Sequence, residues 1–173
     1  LAVQLGHRES IDLDFFSRID FSVASLKNSL AEIGMLEIDY EEKGTLSGTL
    51  DGVKISFFHY GYEQLFPLLD YEGICLADER DIAAMKIDTI SSRGSKKDFA
   101  DIWFLMKKYS LLQLIEFFEK KYKNISYNKL HILKSLVYFD DAENDPSPMM
   151  LADFDWSEAK KDIEKEVKKI YGK

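Results

Sequence analysis

The chain has 173 residues, 46% of them hydrophobic and 31% charged, a size and balance at which one domain can bury a self-sufficient core. Lysine and arginine total 23 against 31 for aspartate and glutamate, and the net charge of −8 repels polyanions at long range, which disfavours broad, sequence-independent nucleic-acid binding. The single cysteine, Cys75, excludes an internal disulfide or a cysteine-based zinc cluster, and no apolar run approaches the ~20 residues of a membrane helix.

A local basic patch can still hold a phosphate, because screening confines surface fields to roughly 8 Å at physiological salt. The setting of Cys75, Gly-Ile-Cys-Leu, reads as buried packing. With no disulfide framework and no signal peptide, the expectation is a soluble cytoplasmic protein without a membrane partner.

In chain order, the first residues read as the end of a helix running into Gly6; as position 1 is Leu rather than Met, something upstream is expected to have been removed. From Ile11 to Phe16, apolar residues alternate with Asp12 and Asp14, the period of a strand with one apolar and one acidic face. Residues 22–33 place Val23, Leu26, Leu30 and Ile33 at helical spacing, with Ser22 as cap and Gly34 as stop. Short strands are expected at 37–42 and 45–50, and Asp51-Gly52 supplies the left-handed conformations of a two-residue hairpin turn. The returning strand, 53–60, puts Val53, Ile55 and Phe57 on one side and Lys54, Ser56 and Phe58 on the other.

Beyond residue 76 the pattern is helical. Asp78 caps a helix carrying Ile82, Met85 and Ile90 inward and ending near Arg93-Gly94, and a second from Lys96 buries Phe99, Ile102, Trp103 and Met106. Further helices are expected over 110–122, 126–139 and 155–171, the last opened by Asp155 and Glu158. Residues 140–148 are acidic and broken by proline, and read as an exposed loop. The fold class is α+β, a mixed or antiparallel sheet lobe at 1–76 followed by a C-terminal helical bundle at 77–173.

Residues two apart on a strand point the same way at a backbone separation of roughly 6.5 to 7 Å, so Asp12 and Asp14 can converge on a cation. Hard oxygen ligands suit Mg²⁺ or Mn²⁺. Spacing alone equally describes the solvated face of an edge strand. The context sharpens it: Leu-Gly-His-Arg-Glu-Ser-Ile-Asp-Leu-Asp-Phe-Phe-Ser sets a basic turn directly before the acidic pair.

That segment, Leu5 to Ser17, resembles the first-strand motif of the AbiEii/AbiGii toxins, a branch of the polymerase β-like nucleotidyltransferase superfamily. Asp81-Ile-Ala-Ala-Met-Lys-Ile-Asp-Thr-Ile-Ser-Ser-Arg-Gly-Ser-Lys-Lys-Asp-Phe-Ala-Asp-Ile-Trp-Phe-Leu105 resembles the same family's downstream helix pair, with its lysine, its Arg-Gly turn and its Lys-Asp-x-x-Asp ending. The resemblance covers most of residues 1 to 109. It implies a nucleotidyltransferase-like sheet lobe, with Asp12 and Asp14 as catalytic metal ligands for Mg²⁺ or Mn²⁺ and Lys86 on the nucleotide phosphates. Asp98 would complete the polar wall or hold Lys86 and Arg93 in place, and His7 and Arg8 would lie at the mouth of the pocket. The implied partners are a nucleoside triphosphate, an RNA or protein acceptor and a cognate antitoxin.

Two departures bear on activity. Relatives carry a Gly-Gly-Thr or Gly-Ser loop ahead of the first motif, and no such loop precedes Leu5 in this sequence. The superfamily also places a third carboxylate on a neighbouring strand, where parity puts Ser56, and Asp51 and Asp70 have no spacing that favours them as substitutes. An active transferase, a catalytically weak nucleotide-binding module and a scaffold with solvated strand acids are the three readings that follow.

Overall fold

The computed structural model describes residues 1–172. The chain divides into two compact units, a sheet unit of Ser10–Tyr62 and a helical unit formed by Leu1–Glu9 with the chain from Glu63 onward. The sequence-based boundary at 76/77 differs from this division. His7 and Arg8 pair with a helix of the second unit, and residues 63–66 are bound by helices of that unit, so both short stretches pack there.

In the sheet unit, β1 (Asp12–Ser17), α2 (Val23–Ile33), β2 (Leu36–Glu42), β3 (Thr45–Leu50) and β4 (Val53–His59) follow a short α1 (Ala2–Leu5) that belongs to the helical unit. The strand order is β1-β4-β3-β2, with β1 and β4 parallel and the other pairs antiparallel. Ser22 caps α2 by accepting from the backbone N–H of Ser25. Asp51 (φ 48) and Gly52 (φ 83) take the left-handed turn expected between β3 and β4. Leu30, Leu46 and Ile55 form the buried centre between α2 and the sheet, flanked by Val23, Leu26, Leu36, Leu50 and Phe57. Ile33, on the same helical stripe, is exposed in the last turn rather than buried.

After residue 62 the helical unit resumes and forms a hairpin missing from the sequence-based reading, β5 (Leu69–Tyr71) and β6 (Ile74–Leu76), turned by Glu72 and Gly73 at positive φ. Cys75 lies on it and is exposed, which corrects the expectation of buried packing: a three-residue ladder has too little cover to bury both faces. Then come α3 (Glu79–Arg93), α4 (Lys96–Leu105), α5 (Leu111–Lys121), α6 (Lys129–Ser135), α7 (Asp140–Glu143) and α8 (Trp156–Tyr171). Phe99, Ile102, Leu105, Leu114, Phe118, Leu136 and Ile163 are fully buried in one core.

Two expectations fail here for local reasons. The helix expected over 126–139 is confined to α6, because Asn128 caps it by accepting from Leu130 and His131. The acidic stretch 140–148 is not a plain exposed loop, since Ala142 of α7 is buried and the carbonyls of Glu143 and Asp145 accept from the buried ammonium of Lys96. No helix among the described residues is long and apolar enough to cross a membrane.

Candidate functional site

In the sheet unit, the parallel register aligns Asp12 with Lys54 and Asp14 with Ser56. Directly paired residues of neighbouring strands share a face, so these four side chains stand on one side of the sheet, Ser56 on the side that strand parity gave it. The next strand adds Thr49 beside Lys54 and Ser47 beside Ser56, and the Ser47 hydroxyl donates to Ser56 Oγ at 3.2 Å. Asp14 is exposed and Asp12 is half-buried. Along the same face toward the strand ends, Phe16 stacks on Phe58 and meets the edge of Tyr60. The opposite face carries Ile55, Leu46 and Leu50 against α2. The result is a sheet with one greasy side and one polar side on which two carboxylates, one lysine and a pair of hydroxyls converge.

Ser56, where the resemblance implied a third carboxylate, is paired with the Ser47 hydroxyl. The other candidate acids are engaged elsewhere: Asp51 accepts from the backbone of Met35, and Asp70 from that of Gly73 in its hairpin. Among the described residues, no three His, Cys, Asp or Glu side chains gather as a metal cage.

In the helical unit, Asp101 is fully buried and acts as a hub. Its Oδ1 lies 2.7 Å from His7 Nε2 and accepts from Arg8 Nε at 2.7 Å, while its Oδ2 accepts from Arg8 Nη2 at 2.9 Å and sits 2.9 Å from Lys86 Nζ. Lys86 also donates to Asp98 at 2.7 Å, and Asp98 in turn caps α4 by accepting from the backbone and hydroxyl of Ser95. Burial pushes the Asp101 carboxyl up, but the hydrogen bonds from His7 and Arg8 and the charges of Lys86 and Arg8 outweigh it and hold the group far below the usual carboxylate range. For Lys86, burial favours the neutral amine, yet Asp101 and Asp98 together raise its pKa above the ordinary lysine value.

The expected roles meet this geometry unevenly. Asp98 does hold Lys86, whereas Arg93 is exposed at the end of α3, away from that pairing. His7 is only 1% exposed, so it lines no pocket mouth; its Nδ1 is buried without a hydrogen-bond partner. Arg8 is spent bidentately on Asp101. Sequence reasoning gave Asp101 no distinct role, and it missed Lys54 and a second buried pair, Asp81 with Lys121 at 2.7 Å. Asp81 also accepts from the backbone N–H groups of Leu65 and Phe66, so it fastens the segment entering the helical unit. Only the strand parity could have flagged Lys54; nothing local flags Asp81 or Lys121.

The chain is 42% identical over 155 residues to the uncharacterized protein aq_aa25 of Aquifex aeolicus (strain VF5), covering 84% of this chain and 72% of that protein. It belongs to the aq_aa25 family. No protein-family model matches it. Among solved structures, it is similar to one from H. pylori called "putative nucleotidyltransferase", with a TM-score of 0.54 at 17% identity over 95% of this chain and 79% of the other. It is likewise similar to JHP933 of Helicobacter pylori, with a TM-score of 0.53 at 16% identity over 95% of this chain and 77% of the other. At such identities the likeness is one of fold, and the fold of this aq_aa25 family member is nucleotidyltransferase-like α+β.

Proposed function

We propose that the chain is a Mg²⁺-dependent nucleotidyltransferase, moving a nucleotidyl group from a nucleoside triphosphate to an RNA end or a protein hydroxyl as the toxin of an AbiEii/AbiGii-type toxin and antitoxin pair. The observation that carries this reading is Asp12 and Asp14 side by side on one face of β1, with Lys54 and Ser56 in register beside them. Two carboxylates without a third fit a cation that keeps part of its water shell and takes further ligands from substrate phosphates, the habit of Mg²⁺ and, with similar ligands, Mn²⁺. Asp12 and Asp14 would hold the ion, which offsets charge developing on the phosphoryl group when bound. The exposed ammonium of Lys54 attracts a triphosphate oxygen, and the Ser47 and Ser56 hydroxyls orient water or phosphate at the carboxylates. An acceptor oxygen forms its bond to the α-phosphorus as the bond to pyrophosphate breaks, and the acceptor proton leaves to solvent.

The test is transfer of label from α-labelled nucleoside triphosphates to RNA or protein, with Asp12→Ala and Asp14→Ala alongside the wild type, and growth arrest as the companion readout. Loss of transfer and of arrest in both variants is the expected result; equal transfer by all three proteins overturns the proposal. A second reading, a nucleotide-binding module with weak or no turnover, is favoured by the hydroxyl at Ser56 and by the full commitment of Lys86 to Asp98 and Asp101. It is separated from the first by nucleotide binding without incorporation into any acceptor.

A further inference from the structure

The helical unit carries a groove of about 740 Å³ between α4, the start of α5, the 153–155 loop and α8, lined by none of the residues of the Asp101 hub. Its accessible apolar floor is Met106 and Phe154, both partly exposed, over the buried Trp103 and Leu111. Its rim holds five carboxylates against two ammonium groups, Lys107 and Lys165. Three of the acids, Glu158, Asp162 and Glu166, stand four residues apart on α8, so they form a row with one acid about every 6 Å along the helix axis. The adjacent face of α8, about 100° round the helix from this row, is spent on the core through Ala159, Ile163 and Val167.

The groove already receives one cation from its own chain. Lys107 Nζ lies 3.8 Å from the centroid of the Trp103 ring and 4.2 Å from that of Phe104, and the Trp103 Nε1–H donates to Asp162 at 2.9 Å. The Glu158 carboxylate has no partner among the described residues. An apolar floor under a row of acids at helical spacing is complementary to an amphipathic helix with basic side chains at i and i+4 and aliphatic ones between. The same acids repel phosphate, which turns nucleic acid away from this surface.

We propose that this groove docks a basic amphipathic helix of a partner protein, its lysine or arginine row lying along Glu158, Asp162 and Glu166 and its aliphatic side chains on Met106 and Phe154. The proposal does not depend on transferase activity.

The test uses the full chain and a fluorescein-labelled 16-residue peptide with lysines at i and i+4 separated by leucines, read by fluorescence anisotropy. Two companion peptides replace every lysine by glutamate or every leucine by serine. The Lys/Leu peptide is expected to bind, and the Glu158→Lys/Glu166→Lys variant to weaken it at least tenfold. Glu32→Lys/Glu116→Lys makes the same change in net charge elsewhere and is expected to weaken binding less than twofold. Glu158→Lys alone, which alters an exposed side chain, serves if the double variant does not fold, with a threefold loss expected. Equal weakening by both double variants, or equal affinity for the Lys/Ser peptide, overturns the proposal because it reduces the effect to net charge. So does self-association in sedimentation that Glu158→Lys/Glu166→Lys abolishes, since the occupant would then be a second copy of the chain.

Discussion

Asp101 shows how much one buried carboxylate can organise. It accepts from or pairs with His7, Arg8 and Lys86, and removing it takes away the carboxylate these groups share, a change of about 3–5 kcal/mol for buried pairs. Asp101→Asn is thus expected to lower the unfolding free energy of the helical unit by an amount in that range at pH 7, read from urea titration. Because the folded-state pKa lies below the ordinary value of 3.8, the stabilisation is complete above that value and is lost as pH falls below it through the folded pKa. The wild type should consequently lose stability faster than Asp101→Asn between pH 4 and pH 2, and parallel losses would contradict the assignment. On the polar face of the sheet, Lys54→Ala is expected to raise KM for the nucleoside triphosphate with little change in unfolding, since the side chain is exposed. Ser56→Asp supplies the carboxylate the face lacks, and isothermal titration should show tighter Mg²⁺ binding in the variant if Asp12 and Asp14 hold the ion. These residue-scale features were unequally legible: alternation placed Asp12 and Asp14 on one face and the family resemblance pointed to Ser56, whereas Asp101 and Asp81 look like ordinary helix acids until a distant partner meets them.

At the scale of elements, caps and turns carried most of the readable information. Ser22, Asp78, Ser110 and Asp155 each cap the helix expected after them, because their oxygens answer the unpaired N–H groups of a first turn. The β3–β4 turn depends on two neighbours with different demands. Gly52 needs its positive φ but has open space around a Cβ, so Gly52→Ala should cost about 1–2 kcal/mol from conformation alone. Gly34 is extended, yet a Cβ there would lie 2.1 Å from Asp51 Oδ2, and that carboxylate also receives the Met35 N–H. Gly34→Ala is accordingly expected to destabilise more than Gly52→Ala in thermal unfolding; the reverse order would show that Asp51 moves aside freely. The β5–β6 hairpin escaped the sequence because its strands are only three residues long, too short for a period to show.

The whole molecule sets a small sheet-unit core, centred on Leu30, Leu46 and Ile55, against a much larger helical-unit core. Burial of apolar surface scales with stability, so backbone amides of β1–β4 should exchange with deuterium faster than those of α3, α4 and α5. Equal protection across both units would refute that ordering. The sequence by itself determined the α+β class, the order of the principal strands and helices, and the polar face bearing Asp12 and Asp14, because periodicity and capping are local properties of a chain. Only the tertiary structure decided that Lys54 stands beside Asp12, that His7 and Arg8 are drawn onto Asp101, and that Asp81 and Lys121 neutralise each other out of water. Those outcomes rest on meetings between residues 40 to 94 positions apart, which no local pattern encodes.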